Sequence, residues 1–395
     1  MITMRITRVF REFFESEKSA GYVLIIITLI SLLLANVFIG PEYPDLFYRK
    51  VGFANDTINL KLSIEHWVND GLMAIFFLMV GLEIERELYV GELASFKNAL
   101  LPILAAIGGM AIPALVHYSF NAGLPTQSGF GVPMATDIAF ALGILALAGS
   151  KVPGSLKVFL TALAIIDDLG AITVIAIFYT KGFSLMYLLI ALAIFMMLFI
   201  LGRLRANTPL TFYIIAGIIM WYCMLQSGVH ATIAGVLLAF AIPFREQDKQ
   251  NISYKLQHAL HKPVAFIILP IFALVNTAVI LPTDVIGSIS TPNSLGIMLG
   301  LLLGKIAGIV GISFLAVKLG WVSLPLGVSW RLLFGAALLA GIGFTMSIFI
   351  TNLAFTDPTT VTGAKMSILL ASLIAAVAGL LVLLSSPKTF APQEQ

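Results

Sequence analysis

Four ionisable residues of this chain lie inside long apolar stretches. Asp137 is in GVPMATDIAFALG, Asp167 and Asp168 are adjacent in LTALAIIDDLGAI, and Lys305 is in LLLGKIAGI. A single charge at the centre of a membrane helix costs about 2.5–3.5 kcal/mol on insertion scales. Ionisable groups at such depth usually face a cavity or one another and carry function. These four residues are therefore the first candidates for chemistry.

The two adjacent aspartates can have different tasks. Neighbouring residues of an α-helix are about 100° apart around the axis, so Asp167 and Asp168 do not share a face. One carboxylate can pair with Lys305 while the other faces a hydrated cavity. A carboxylate removed from water favours its protonated form, and it cannot hold a proton and a metal cation at once. The pair therefore predicts exchange of protons for cations.

The same four residues are compatible with several further roles. A structural Asp–Lys pair is one, although three acids exceed what one lysine neutralises. An intramembrane aspartyl protease also uses two aspartates, but on separate helices with a GxGD motif, and GIGF here lacks the acid. A cation channel usually presents a ring of acids around one pore. An exchanger for K⁺, or an electroneutral one, is the nearest alternative.

The composition is typical of a membrane protein. Of the 395 residues, 59% are hydrophobic and 11% are charged, against about 25% charged in soluble domains. Apolar stretches of about 17–25 residues recur along the chain, which indicates spanning helices and not barrel strands. The net charge is only +3, and Cys223 is the single cysteine. We therefore expect no intrachain disulfide and no nucleic-acid partner.

We predict an all-α polytopic fold of about twelve spans in one transporter domain covering 1–395. Lys and Arg favour an orientation with both termini in the cytoplasm, roughly seventeen inside against five outside. The predicted spans, numbered 1 to 12, are Ala20–Ile39, Ile64–Leu82, Ala99–Phe120, Gly131–Ala148, Leu156–Tyr179, Leu185–Leu201, Leu210–Leu225, Val229–Phe244, Pro263–Leu281, Gly296–Val317, Leu332–Ile350 and Met366–Leu384.

Spans 4 and 11 contain residues that interrupt helices beside polar side chains. They are Gly131, Pro133 and Thr136 in span 4, and Gly341, Gly343, Thr345 and Ser347 in span 11. Broken helices expose N–H groups and carbonyls at membrane depth, which Asp137 and Lys305 can neutralise respectively. Spans 3–5 and 10–12 are then predicted to be inverted repeats, each with an interrupted middle member. Close packing by small residues is the alternative.

Two segments outside the spans are predicted to lie at the membrane surface. Residues 1–19 carry Arg5, Arg8 and Arg11 among apolar residues at helical spacing, which suits a cytoplasmic surface helix, with a disordered tail as the alternative. Residues 50–62 place Asn55-Asp56 between β-prone segments. This pattern favours an outer hairpin, although a plain loop fits nearly as well.

Further polar residues lie near the predicted span ends. They are Glu83, Arg86 and Glu87 in GLEIEREL, His258 and His261 in LQHALHKP, and His230 in SGVHATIAG. Acids and histidines near a funnel mouth can tune ion entry and sense pH. More commonly, such residues simply form a solvated polar face. Two histidines three apart with no third ligand are only a weak metal site.

Taken together, these stretches resemble the NhaA family of bacterial sodium/proton antiporters. The matching strings are FFLMVGLEIEREL, AAIGGM, ATDIAFALGILAL, LTALAIIDDLGAI, SGVHATIAGV, LPIFALVN, GKIAGI and AGIGFTMSIFI. They keep the family's order and extend from about span 2 to span 12. The combination of ATDIAFALG with AIIDDLGAI is highly specific.

The resemblance implies an antiporter of the bacterial inner membrane and not an enzyme. It implies electrogenic exchange of cytoplasmic Na⁺ or Li⁺ for external H⁺, activation at alkaline pH, and no cofactor. It implies that Asp168 binds the ion, that Asp167 is the partner of Lys305, and that Thr136 and Asp137 lie where the interrupted helices cross. It also implies a homodimer joined partly through the hairpin near 51–62.

The resemblance also implies a cytoplasmic cluster that responds to pH, with two departures from the family pattern. The matching residues are Glu83, Arg86, Glu87, His230, Gln257, His258 and His261. Gln257 stands where the family usually has a glutamate, and Glu85 replaces a lysine. We therefore expect a pH profile that differs from the family norm, with the transport core intact.

Overall fold

The computed structural model describes residues 17–55, 59–180, 182–204, 208–244 and 251–386. Nearly all regular structure in these ranges is helical. Most of the predicted surface helix over 1–19, including Arg5, Arg8 and Arg11, lies outside the described residues.

Nine helices among the described residues are long and apolar enough to cross a membrane. They are Ser19–Phe38, Ile64–Val90, Phe96–Asn121, Gly154–Phe178, Leu185–Leu204, Leu210–Ser227, Ile252–Asn276, Pro292–Lys318 and Pro358–Leu384. Two further spans are bent pairs, Pro125–Met134 with Ile138–Leu147 and Trp330–Ala340 with Phe344–Ala354, each bent by 43°. The all-α polytopic fold is confirmed, and the bent pairs are the predicted spans 4 and 11.

Span 8 differs from its prediction, Val229–Phe244. Its helix is Ile233–Ala241, 9 residues long, or about 13 Å against a hydrocarbon core of about 30 Å. Gly228 ends the preceding helix in the left-handed conformation, with φ +81, and Pro243 prevents the helix from continuing. The apolar stretch is as long as predicted, but only its middle is helical.

The described chain forms two compact units. The first unit lies within 1–26, 92–171 and 281–395, and it contains spans 3, 4, 10, 11 and 12, most of span 5 and the beginning of span 1. Spans 3–5 and 10–12 are the members of the two predicted repeats, whose inverted symmetry remains a prediction. The second unit lies within 27–91 and 172–280 and contains spans 2 and 6 to 9. The prediction of a single transporter domain also remains a prediction.

Spans 3 and 10 approach each other very closely in the first unit. A Cβ atom at Gly308 would lie 2.1 Å from the carbonyl oxygen of Gly108, and one at Gly304 would lie 2.9 Å from the Cα of Pro113. Gly300, Gly304 and Gly308 are four residues apart, so they lie on one face of span 10. Small residues allow this approach of two backbones in a membrane protein. The backbone around Lys305 is consequently held in place.

Several short elements connect or widen the spans. Short helices cover Glu42–Tyr48, Glu92–Ala94, Gly149–Lys151 and Val285–Ile289, and wider π-helical turns cover Leu34–Phe38, Trp67–Leu72, Val264–Ile268 and Gly300–Gly304. In the second unit, strands Lys50–Val51 and Leu62–Ser63 pair antiparallel, with a further bridge between Ala54 and Asn59. Residues 56–58 of this segment lie outside the described residues.

Candidate ion-binding site

The two helix interruptions lie side by side in the first unit. Residues 135–137 separate the halves of span 4, and residues 341–343 separate those of span 11. The backbone N–H of Asp137 donates to the carbonyl oxygen of Ile342 at 2.7 Å. This hydrogen bond joins the two breaks directly.

Asp137 caps the second half of both interrupted spans. Its Oδ1 accepts from the backbone N–H of Phe140 at 2.9 Å, and its Oδ2 accepts from the N–H of Thr345 at 3.2 Å and from the Thr345 hydroxyl. The residue is 2% exposed. A helix N-terminus carries a partial charge of about +0.5, so two of them together offset roughly one carboxylate charge. The negative charge of the Asp137 carboxylate is thereby offset by the backbone N–H groups of the two half-helices.

Thr136 lies between a carbonyl end and the adjacent carboxylate. Its hydroxyl oxygen is 2.8 Å from the carbonyl oxygen of Ala340, the last residue of the first half of span 11, and 2.8 Å from Oδ2 of Asp167. A hydroxyl has one proton to donate, so it serves only one of these acceptors at a time. The Nζ of Lys305 donates to the same hydroxyl at 3.0 Å. The lysine thus reaches the exposed carbonyl end through Thr136.

Asp167 and Lys305 form a fully buried ion pair. The Nζ of Lys305 bonds to Oδ2 of Asp167, and both side chains are 0% exposed. The second oxygen of Asp167, Oδ1, accepts no hydrogen bond from the residues that the structure describes. Lys305 directly follows the π-helical turn Gly300–Gly304. Such turns hold one extra residue and are frequent at functional sites.

Asp168 completes the acidic site. It is 1% exposed and lies next to Asp167 on span 5, so the two side chains leave the helix in different directions. The site therefore contains three buried carboxylates and the one ammonium group of Lys305. Its oxygens come from carboxylates, a hydroxyl and a main-chain carbonyl, which is the donor set that hard cations prefer.

The interrupting residues also pack the breaks against span 10. A Cβ atom at Gly300 would lie 2.7 Å from the Cβ of Pro133, and one at Gly341 would lie 2.4 Å from the carbonyl oxygen of Leu301. A Cβ atom at Gly343 would lie 2.9 Å from Cδ2 of Leu301 in span 10 and 2.1 Å from the Ser347 hydroxyl oxygen within span 11. These residues therefore both interrupt the helices and allow close packing. The two interpretations offered for them in the sequence are compatible.

Ser372 and Lys365 were not predicted from the sequence, whereas Ser347 was named there beside the break in span 11. The Oγ of Ser372, in span 12, accepts from the N–H of Phe344 at 3.1 Å, and the Ser347 hydroxyl donates to the carbonyl of Val132 at 2.7 Å. Lys365 is 6% exposed and lies inside span 12, which begins at Pro358 and not at Met366. A lone serine in an apolar span gives no signal. Only the expectation that a broken span 11 needs caps points to Ser372.

The predicted pH-response residues lie in the second unit, where the contacts of the described residues divide them into separate groups. The Nη2 of Arg86 is 2.8 Å from Oε1 of Glu87 and 3.9 Å from Oε1 of Glu83. The Nε2 of His230 lies 3.0 Å from the carbonyl oxygen of Tyr179. The acids and Arg86 are thus joined through the guanidinium group, whereas His230 bonds to the backbone after span 5.

The residues of span 9 divide between two faces. His258 and His261 are exposed, and the Nδ1 of His258 lies 3.0 Å from the carbonyl oxygen of Tyr254. Gln257 is only 6% exposed. Glu85 is 5% exposed, with Ser253 and Arg203 as the interacting partners of its carboxylate. Both departures from the family pattern are therefore buried residues.

Comparison with known proteins identifies the family. The model of the family described as Na+/H+ antiporter 1 matches residues 11–383. The chain is 57% identical to the Na(+)/H(+) antiporter NhaA of Dechloromonas aromatica over 95% of this chain and 96% of that protein. It is 57% identical to the antiporter of the same name from Cytophaga hutchinsonii, over 96% and 95% respectively. For Flavobacterium psychrophilum the identity is 56%, over 95% and 96%. The resemblance seen in the sequence is confirmed: this chain belongs to the Na+/H+ antiporter 1 family.

Proposed function

We propose that this chain exchanges cytoplasmic Na⁺ or Li⁺ for external H⁺ across the bacterial inner membrane. Its relatives are named Na⁺/H⁺ antiporters, and one observation in the site supports the same activity. Three carboxylates and one ammonium group are buried together where two interrupted helices cross. With all four ionised their formal charge would be −2. The two half-helix N-termini offset about one of these charges at Asp137, and the remaining negative charge requires a bound proton or cation.

In this proposal Asp168 holds the ion, assisted by Asp167 and Thr136. Na⁺ is a hard cation, which suits carboxylate and hydroxyl oxygens. Asp137 is already engaged in capping two half-helices, so it holds the exposed ends in place and is not the exchanging group. Protons and Na⁺ then compete for the same oxygens. That competition couples the two fluxes.

Lys305 determines how many protons move. If Na⁺ takes oxygens of both Asp167 and Asp168, the ammonium group must leave Asp167. A buried ammonium group without its carboxylate favours the neutral form. Lys305 then releases a proton in addition to the one released by Asp168, and exchange becomes electrogenic. If Lys305 only stabilises the fold, this second proton needs another source.

The decisive test is Asp168→Asn in everted membrane vesicles. The substitution keeps the shape of the side chain and removes its charge and exchangeable proton, so we expect no Na⁺-dependent proton movement. Asp284→Asn is the matched control, because Asp284 caps the short helix Val285–Ile289 through Oδ1 and asparagine keeps that acceptor. Normal exchange in Asp168→Asn would refute the proposal.

The role of Lys305 and the choice of ion are tested in proteoliposomes with the voltage recorded. If Lys305 carries a proton, Lys305→Gln makes Na⁺ exchange independent of voltage. Full electrogenicity in this variant removes Lys305 as a carrier. Parallel measurements with Li⁺ and K⁺ test the alternative of a K⁺ exchanger, which predicts K⁺ transport at the same site.

Three finer features belong to the same proposal. Alkaline activation is assigned to the second-unit residues around Arg86, whose guanidinium group contacts two carboxylates. A homodimer joined partly through residues 50–62 is supported by the exposed apolar side chains of Val51 and Phe53 on that segment. Both termini are assigned to the cytoplasm from the distribution of basic residues. Crosslinking of cysteines placed on the hairpin in native membranes tests the dimer.

A further inference from the structure

A cavity of about 400 Å³ lies in the first unit, apart from the ion-binding residues. It is formed by the beginnings of spans 3 and 5 and by the connection that follows span 10. These three chain segments meet at one membrane face, which the basic residues assign to the cytoplasm. The volume falls within the range of about 300–1,000 Å³ that is usual for small-molecule sites.

The floor of the cavity is apolar and deeply buried. It consists of Leu101 and Pro102 from span 3 and Phe159 and Ala162 from span 5. Leu101, Phe159 and Ala162 are 4%, 2% and 3% exposed. Such a floor offers nothing to an ion or a polar metabolite. It suits a hydrocarbon chain.

The rim of the cavity carries both signs of charge. Its polar lining residues include Glu92, Lys97 and Asn98 around the start of span 3 and Ser323 in the connection that follows span 10. The amide nitrogen of Asn98 donates to Oε2 of Glu92 at 3.3 Å, which orients the carboxylate. A ligand that matches this rim carries a negative and a positive group close together, above an apolar portion.

The surroundings of the cavity are those of a membrane interface. Trp321 and Leu326, which line the opening, are 64% and 80% exposed. The Ser155 hydroxyl donates to the carbonyl of Leu326 at 2.6 Å, so the connection after span 10 is fixed to the start of span 5. Trp is enriched where lipid headgroups meet the hydrocarbon core. The cavity therefore opens at the depth of the headgroups.

We propose that this cavity binds a phospholipid of the cytoplasmic leaflet with an ethanolamine headgroup. The acyl chain lies on the floor, the phosphate contacts Lys97, and the ammonium group donates to Glu92. A phosphatidylglycerol headgroup has no cation for Glu92, and a choline headgroup has no N–H to donate to it. Lys97 and Glu92 on the rim therefore match the phosphate and the ammonium group of the ethanolamine lipid.

The test uses Trp321 as the reporter, since it lines the opening. The full chain with Trp67→Phe, Trp221→Phe and Trp330→Phe keeps this single tryptophan. It is reconstituted in phosphatidylcholine vesicles that contain acyl-brominated phosphatidylethanolamine, phosphatidylcholine or phosphatidylglycerol at equal mole fraction. Bromine quenches nearby tryptophan fluorescence. We expect the ethanolamine lipid to compete roughly three- to fivefold better than the choline lipid, as exposed ion pairs contribute little.

Substitutions on the rim separate this site from general contact with lipid. Glu92→Gln should bring the preference for the ethanolamine lipid over the choline lipid to about one, and Glu92→Asp should restore part of it. Lys97→Gln should weaken competition by all three lipids, because each of them carries the phosphate. Lys262→Gln is the control, because Lys262 is an exposed lysine of the second unit. Ala162→Phe fills the floor and should reduce quenching by all three brominated lipids.

Two results would overturn the proposal. One is equal quenching by ethanolamine and choline lipids, or a preference for the ethanolamine lipid that survives Glu92→Gln. The other is equal or better competition by phosphatidylglycerol, which would show that only the lysine matters. If the single-tryptophan variant does not fold, mass spectrometry of the unaltered chain from mixed vesicles supplies the comparison. Retention of phosphatidylcholine as readily as phosphatidylethanolamine then counts against the site.

Discussion

Removing the Lys305 ammonium group should lower the free energy of unfolding, because it leaves the buried Asp167 carboxylate without its partner. Loss of one member of a buried pair costs about 3–5 kcal/mol, because the remaining charge is left without compensation. Both side chains are 0% exposed, so solvent cannot screen the remaining Asp167 carboxylate. Methionine fills the space of the lysine without donating a hydrogen bond. We therefore expect Lys305→Met to reach the upper part of that range.

A double-mutant cycle shows whether the loss of stability comes from the unpaired charge of Asp167. Asp167→Asn combined with Lys305→Met removes both charges, and a neutral replacement of a buried pair is often neutral or stabilising. The double variant should therefore recover most of the stability lost in Lys305→Met, which is a strong coupling between the sites. Unfolding in mixed detergent micelles, followed by tryptophan fluorescence, measures it.

A control variant and two possible outcomes test this prediction. Lys262→Met alters an exposed lysine and should stay within about 0.5 kcal/mol of the parent. If Lys305→Met is as stable as the parent, the lysine does not balance the carboxylate in the folded protein. If the double variant is as unstable as the single one, the loss comes from packing and the electrostatic argument fails.

Three further predictions concern the scaffold. Gly308→Ala should lower stability by about 1–3 kcal/mol, since its Cβ would lie 2.1 Å from the carbonyl oxygen of Gly108. Gly311→Ala is the control, because a Cβ there meets nothing within 4 Å and should not lower stability. Equal unfolding midpoints for the two variants would contradict this prediction. Ser372→Ala leaves a buried N–H without an acceptor and should lose about 1–3 kcal/mol, with Ser372→Thr retaining the bond; a silent Ser372→Ala would disprove the cap. Hydrogen bonds from a threonine side chain and backbone hold the pKa of Asp357 below 3.8, so its charge stabilises span 12 above that pH, and the contribution is lost as the pH falls through the lowered pKa. An unfolding difference from Asp357→Asn that persists unchanged in acid would refute it.

The broken spans were predictable from sequence because helix breakers and polar residues coincide there. Pro133 with Thr136, and Gly341 with Gly343, stand out in apolar stretches, and both spans bend at those places. The four intramembrane ionisable residues stood out for the same energetic reason. The sequence spacing does not show which aspartate faces Lys305, because Asp167 and Lys305 are 138 residues apart and lie on different helices. That assignment needed the family resemblance.

The rest depends on contacts that no local pattern encodes. Ser372 caps a half-helix 28 residues away, and an isolated serine is unremarkable in a membrane span. Span 8 was predicted too long because hydropathy measures apolar character and not helicity, and Gly228 and Pro243 limit the helix. Glu85 was recognised only as a departure from a family pattern. Its burial comes from packing that the sequence does not reveal.

The wide turn at Gly300–Gly304 has a consequence for comparing sequences within the family. Because a π-helical turn accommodates one residue more than an α-helical turn, a relative lacking one residue there would keep both halves of span 10 in phase. The lysine would still face its aspartate. A one-residue gap anywhere else in Pro292–Lys318 would rotate one half by about 100° relative to the other. Alignment gaps at this turn are therefore structurally conservative, and those beside it are not.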